Sequence, residues 1–182
     1  PESSEQPQPL RTGLTTGTCA TACCLATGHL LLGNLHNTCV SVTLPNKRPK
    51  ATDISKHVDL HLTLVENSDQ NSAYAATVKD AGDDPDATHG ATVWVSLKLV
   101  PQQGTNFVAG LGVGTVTRSG LLLDVGQAAI NPVPRQMMSE HLIRLADTYQ
   151  YHGGFEVTIG VINGTEIAKK TMNGRLGIMG GL

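Results

Sequence analysis

Residues 18–32 read TCATACCLATGHLLL, a stretch of small and apolar side chains with no Asp, Glu, Lys or Arg. A helix made of such residues has no polar face to offer to water, so the spacing predicts a buried helix. Thr15 and Thr16 are capping candidates just before it, and Gly33-Asn34 is a stop signal just after it.

The chain then turns to strand patterns. Residues 39–44 form a short one, closed by Pro45-Asn46. Residues 57–64 alternate strictly, which predicts one strand with Val58, Leu60, Leu62 and Leu64 on one face and His57 and His61 on the polar side. Further strands are expected at 73–79 and at 92–100, the latter around Val93, Val95, Leu97 and Leu99. The glycine-rich middle reads as loop, with short strands at 115–117 and 121–125. Pro132 and Pro134 introduce a helix over about 135–149, whose stripe of Met137, Met138, His141, Leu142 and Leu145 reads as core. Residues 155–162 and 165–171 flank Asn163-Gly164, a hairpin signal because both turn residues tolerate positive φ. Strands outnumber helices, so the expected fold class is α+β, a mixed or largely antiparallel sheet covered by two or more helices.

Composition narrows the function classes. A formal net charge of −2 and the lack of any Lys/Arg run offer no field to gather nucleic acid. No apolar run approaches the ~20 residues that span a bilayer, so no membrane partner is expected. Residues 1–10 are polar and Pro-rich and read as a disordered tail, leaving 11–182 as one domain. With no signal peptide, the four cysteines (Cys19, Cys23, Cys24 and Cys39) are expected to be reduced, and the expected location is the cytoplasm. Cys19 and Cys23 share a helix face, but small cysteines in a buried helix are packing residues before they are zinc ligands.

Four stretches are not explained by composition. Thr15-Thr16-Gly17 precedes a helix, where unpaired N–H groups can hold a carboxylate or phosphate, or simply form a capped start. Residues 78–90, VKDAGDDPDATHG, place Asp80, Asp83, Asp84 and Asp86 within seven residues, close to Lys79 and His89. Such crowding suits a general base or a positive ligand, or else a solvated turn. It does not fit a calcium loop, because position twelve from Asp80 is Ala91 rather than Glu. Residues 110–120 are rich in glycine, but their spacing is not that of a dinucleotide loop and a strand is expected to follow. Residues 129–135, AINPVPR, deliver Arg135 to a helix start.

Taken in order, LTTGTCAT at 14–21, residues 78–90, residues 112–117 with 129–135, and TMNGRLGIMGG at 171–181 resemble the cobalt-precorrin-5B C(1)-methyltransferase family over almost the whole chain. The sequence departs from that pattern at Ser119 and Gly174, where the family usually has Pro, and at Gln127-Ala128, where it usually has Glu-Pro. The resemblance implies transfer of a methyl group from S-adenosylmethionine to C-1 of cobalt-precorrin-5B, giving cobalt-precorrin-6A in cobalamin biosynthesis. Cobalt would arrive within the substrate, and no protein metal site is implied. The resemblance also implies that 11–182 is an N-terminal domain cut before a second, Rossmann-like one. Asp80, Asp83, Asp84, Asp86 and His89 are then expected at the reacting end. Thr15, Thr16, Gly17, Lys79, Arg118, Arg135 and Arg175 are expected to hold the macrocycle's acetate and propionate groups. A homo-oligomer, or contact with other enzymes of the pathway, is the expected assembly. The rival readings are a non-catalytic tetrapyrrole-binding module and a metal-dependent hydrolase using the aspartates.

Overall fold

The computed structural model describes residues 14–45, 56–80, 90–113 and 130–162, together with the backbone of 115–116 and 178–179. The elements run α1 (Thr16–Gly33), β1 (Cys39–Thr43), β2 (His57–His61), β3 (Leu64–Asp69), β4 (Ser72–Val78), β5 (Thr92–Val100), β6 (Thr105–Ala109), β7 (Thr115–Val116), α2 (Pro132–Thr148), β8 (Gly154–Ile162) and β9 (Ile178–Met179). The fold class is α+β.

Five strands form one sheet in the order β3-β4-β5-β8-β6. The first three pairings are antiparallel, and β6 lies parallel to β8. A parallel neighbour needs a crossover, and α2 supplies it between β6 and β8. β1 and β2 form a separate antiparallel pair, as do the two-residue strands β7 and β9.

α1 lies between the sheet and the other elements, packing on β3, β4 and β5 as well as on α2 and β1. This position explains its sequence: every residue from Gly17 to Gly28 is buried. The capping expectation holds, with Thr15 as N-cap accepting the Thr18 N–H at 3.0 Å and Asn34 left-handed at the C-cap with φ 50°. Thr21 and Thr27 satisfy their buried hydroxyls on the carbonyls of Gly17 and Cys23, one turn back. Cys19, Cys23 and Cys24 are buried packing residues.

Three expectations need correction. The alternation over 57–64 is not one strand. At Leu62–Thr63 the chain changes partners: the Leu62 N–H goes to the Thr38 carbonyl and the Thr63 N–H to that of Ala76. The phase flips there, so Leu64 faces outward and Val65 inward. β6 was expected as loop, but it forms the sheet edge beside β8. α2 begins at Pro132, ahead of the expected 135, with both prolines inside its first turn. The expected strands at 121–125 and 165–171 and the Asn163-Gly164 turn lie outside the described residues.

α2 is tied to β1 through His141, which is 5% exposed. Its Nδ1–H donates to the Met137 carbonyl at 2.6 Å, and its Nε2 accepts the Thr43 N–H at 3.1 Å. Both partners are fixed in role, so the ring is the neutral Nδ1–H tautomer. Burial pushes its pKa down, and Arg144 and His57 add to this against the opposing Met137 carbonyl and Glu140. A depressed histidine makes the folded state take up its proton later than the unfolded chain. Its stabilisation is therefore complete above the unfolded value of about 6.5 and is lost as pH falls from there toward the folded value. Burial pushes His29 the same way. Thermal melts should be flat from about pH 7 to 8, fall between about pH 6.5 and 5, and fall again above about pH 9, where the unfolded chain's thiols ionise while buried ones such as Cys19 stay protonated. His141→Gln, whose amide oxygen can still accept the Thr43 N–H, should reduce that slope. An unchanged slope in the variant would contradict the assignment.

Candidate functional site

α1 and α2 run in the same direction, and their starts touch. A Cβ on Gly17 would stand 3.0 Å from the Pro134 ring, one on Gly28 2.6 Å from Leu145, and one on Gly33 2.6 Å from the Tyr149 hydroxyl. Matching starts, middles and ends set the two helix dipoles side by side, with both positive ends at one end of the fold. At that end β4, β6 and β8 also finish, since β4 and β8 are each antiparallel to β5 and β6 is parallel to β8.

The described residues that flank the singled-out stretches all stand there. The Leu14 N–H donates to the Asp80 carbonyl at 2.7 Å, joining the approach to α1 to the end of β4. Lys79 exchanges backbone bonds with the start of β5, its N–H to the Ala91 carbonyl at 2.9 Å and its carbonyl from the Gly90 N–H at 2.8 Å. The Gly110 N–H donates to the Ile159 carbonyl and the Val161 N–H to the Leu111 carbonyl, holding the turn after β6 against β8. Gly112 has φ +83°, a conformation that favours glycine, and the chain goes on into strand β7 rather than a helix. This agrees with the exclusion of a dinucleotide loop.

Lys79 is 3% exposed. The signal for this was in the sequence: Ala73, Ala75 and Thr77 are the buried face of β4, and Lys79 continues their parity. Its charge acts on Cys19 in the first turns of α1. Burial dominates there and raises the Cys19 thiol to about 11, with Lys79 pulling the other way. Cys19 is thus a protonated packing residue at neutral pH and not a nucleophile.

Arg135 sits in the first turn of α2. Its Nε–H donates to the Ile130 carbonyl at 2.8 Å, and its guanidinium carbon lies 5.1 Å from the centre of the Phe107 ring on β6. Burial lowers its pKa from the usual arginine value. Sequence reading missed Phe107 as its platform because β6 was not seen. Two of the first three helical residues are prolines, so α2 offers few N–H groups and its cation must come from the Arg135 side chain. α1 differs: Thr15 occupies the Thr18 N–H, and those of Thr16 and Gly17 have no partner within the helix.

The structure thus brings Thr15, Thr16, Gly17, Lys79, Asp80 and Arg135 to one end of the fold. Asp83, Asp84, Asp86, His89, Arg118 and Arg175 lie outside the described residues. Among the described residues no cluster of three or more His, Cys, Asp or Glu side chains could hold a metal ion, and no helix is long and apolar enough to cross a membrane. The end gathers one buried ammonium, one guanidinium and the start of α1, with the Asp80 carboxylate beside them, and such positive groups can receive anions.

Comparison with known proteins agrees with the motif order. The family model described as CbiD matches residues 3–182. A protein of Marinomonas sp. (strain MWYL1) named cobalt-precorrin-5B C(1)-methyltransferase is 59% identical over 182 residues, covering 100% of this chain and 45% of the relative. One of the same name from Pseudomonas putida (strain W619) is 55% identical over 181 residues, covering 100% of this chain and 47% of the relative. The crystal structure of a cobalamin biosynthesis protein (cbiD) from Archaeoglobus fulgidus superposes with a TM-score of 0.62 at 26% identity, over 94% of this chain and 51% of that one. The chain spans about half the length of the curated relatives it matches. The family match covers nearly every residue and the folds agree, so this chain belongs to the CbiD family.

Proposed function

We propose that this chain is the macrocycle-holding domain of an S-adenosylmethionine-dependent methyltransferase that acts at C-1 of cobalt-precorrin-5B and yields cobalt-precorrin-6A in cobalamin biosynthesis. The observation that carries this reading is the convergence of Lys79, Arg135 and the start of α1 at one end of the fold, where the described flanks of the motif stretches also stand. A macrocycle bearing several acetate and propionate groups needs such a set of donors. Lys79 would act as a buried point charge and Arg135 as a two-pronged donor steadied by Phe107. The Thr16 and Gly17 N–H groups would take a further carboxylate. Arg118 and Arg175 are proposed to join them.

S-adenosylmethionine would supply a methyl group on a sulfonium, which a macrocycle carbon would take in line as the S–CH3 bond breaks and S-adenosylhomocysteine leaves. The protein's task is alignment and exclusion of water. Asp80, Asp83, Asp84, Asp86 and His89 are proposed to line the reacting end, one carboxylate acting as base or facing the sulfonium. Residues 11–182 would be the N-terminal domain, and no described residue is assigned to the S-adenosylmethionine site. Cobalt would enter with the substrate. The expected working place is the cytoplasm, where thiols such as Cys39, exposed on β1, stay reduced. The names of the relatives favour methyl transfer over a non-catalytic tetrapyrrole-binding module and over a metal-dependent hydrolase.

Calorimetric titration with a cobalt-bound, carboxylated tetrapyrrole tests the reading. Saturable, salt-sensitive binding is expected, weakened about tenfold by Lys79→Met, the equivalent of roughly 1.4 kcal/mol. Equal affinity in the variant and the parent would remove Lys79 from the site.

A further inference from the structure

The face of the five-stranded sheet turned away from α1 has a pattern that macrocycle binding does not explain. Leu64, Ala76, Trp94 and Gly160 stand in register across β3, β4, β5 and β8. A Cβ at Gly160 would collide with the Trp94 indole, and one at Gly110 would stand 2.8 Å from its far edge. The chain's single tryptophan is thus laid flat across the sheet on two residues without side chains. Around it on the same face Val78 is 48% exposed, Ile162 49% and Val108 41%. Val78, Thr92 and Ile162 make the adjoining row at the end where both helices start. Charge appears only away from this centre, as Glu66 and Asp69 on β3 and as Lys98 opposite Glu156.

We propose that this outer sheet face, centred on Trp94, is the docking surface for the half of the family's chains that these 182 residues do not span. An apolar centre with charge at its margin is the anatomy of a protein interface. A polycarboxylate ligand does not fit, because the face's one cation among the described residues, Lys98, stands beside a carboxylate. A protein occupant of the right size exists in the family: the matched relatives are about twice as long, and the Archaeoglobus fulgidus chain is covered only to 51%. The patch also runs up to the donor-rich end through Val78, Ile162 and Leu111, so a partner seated on it would border that site.

Hydroxyl-radical footprinting tests this on two proteins. One is the 182-residue chain, and the other is the same residues joined to the remaining half of the Marinomonas relative. Oxidation of Trp94 and Ile162 should fall about fivefold in the joined protein, since an interface core excludes water. Ile143, 57% exposed on α2, is the internal control and should not change. Equal labelling of Trp94 in both proteins overturns the proposal. So does protection that grows with concentration in the short chain alone, which would make a second copy the occupant. Protection of the short chain by a cobalt-bound tetrapyrrole overturns it as well. Should the joined protein not fold, the intact Marinomonas relative, footprinted at the aligned positions against its own matching half, gives the same three outcomes.

Discussion

Gly154→Ala is expected to destabilise the fold by about 3 kcal/mol, near the upper end of what overpacking costs. Gly154 opens β8 opposite Val100, and an added Cβ would run into the backbone carbonyls of Gln102 and Gly104 in the β5–β6 connection. A clash with a flexible side-chain tip can be relieved by rotation, but this one needs the backbone to move. That backbone is pinned. The Phe155 N–H donates to the Gly104 carbonyl at 2.9 Å, and the Tyr151 hydroxyl is shared between the carbonyls of Val100 and Gly154 at 2.9 and 2.8 Å. Relief would therefore pull β6 away from β8, loosening the strand whose Phe107 supports Arg135. Gly104→Ala is the contrast. Gly104 has φ +102° and open space around its Cβ position, so the cost there is conformational, about 1 kcal/mol. Urea unfolding of both variants separates the two mechanisms. A Gly154→Ala loss no larger than that of Gly104→Ala would mean that the connection yields freely.

The sequence made the fold legible where one physical rule governed a whole segment. α1 was readable because a helix surrounded on all sides has no polar face, and β5 because one of its faces is buried at Val93, Val95 and Leu97. β3 was not readable, because the chain leaves one sheet for another at Leu62–Thr63 while the residue pattern continues unbroken. β6 was missed because an edge strand between Gly104 and Gly110 buries only part of Thr105, Phe107 and Ala109 and leaves Asn106 and Val108 to solvent. The site divides the same way. Its residue types were visible as odd local stretches, but their meeting depends on α1 and α2 running side by side through Gly17, Gly28 and Gly33. That packing relation links positions more than a hundred residues apart, and no local pattern records it. The inward turn of Lys79 was legible and overlooked, since the parity of Ala73, Ala75 and Thr77 already pointed it at α1.

If the proposed function holds, Asp83→Asn and Asp84→Asn, each made in these residues joined to the remaining half of the Marinomonas relative, should lower turnover on the order of 100-fold in at least one case, the contribution expected of a positioned proton acceptor. Asp80 and Gly90 are fixed by backbone bonds to Leu14 and Lys79, so the stretch between them leaves from and returns to the donor-rich end of the fold. Under the proposed function, Lys79, Arg135 and the start of α1 would take the substrate's carboxylates. Under the same proposal an aspartate of that stretch would have a different use, either taking a proton as electron density moves toward the methyl group or facing the positive sulfonium. Asn keeps the shape and removes the charge, so stability should stay within about 0.5 kcal/mol while single-turnover rates fall. The pattern of loss identifies the role. A base should lose kcat together with the acid limb of the pH profile. A charge that only faces the cosubstrate should raise its KM and leave that limb in place. If both variants turn over at the parent rate, Asp83 and Asp84 belong to a solvated acidic turn, and the reacting end must be sought among other groups.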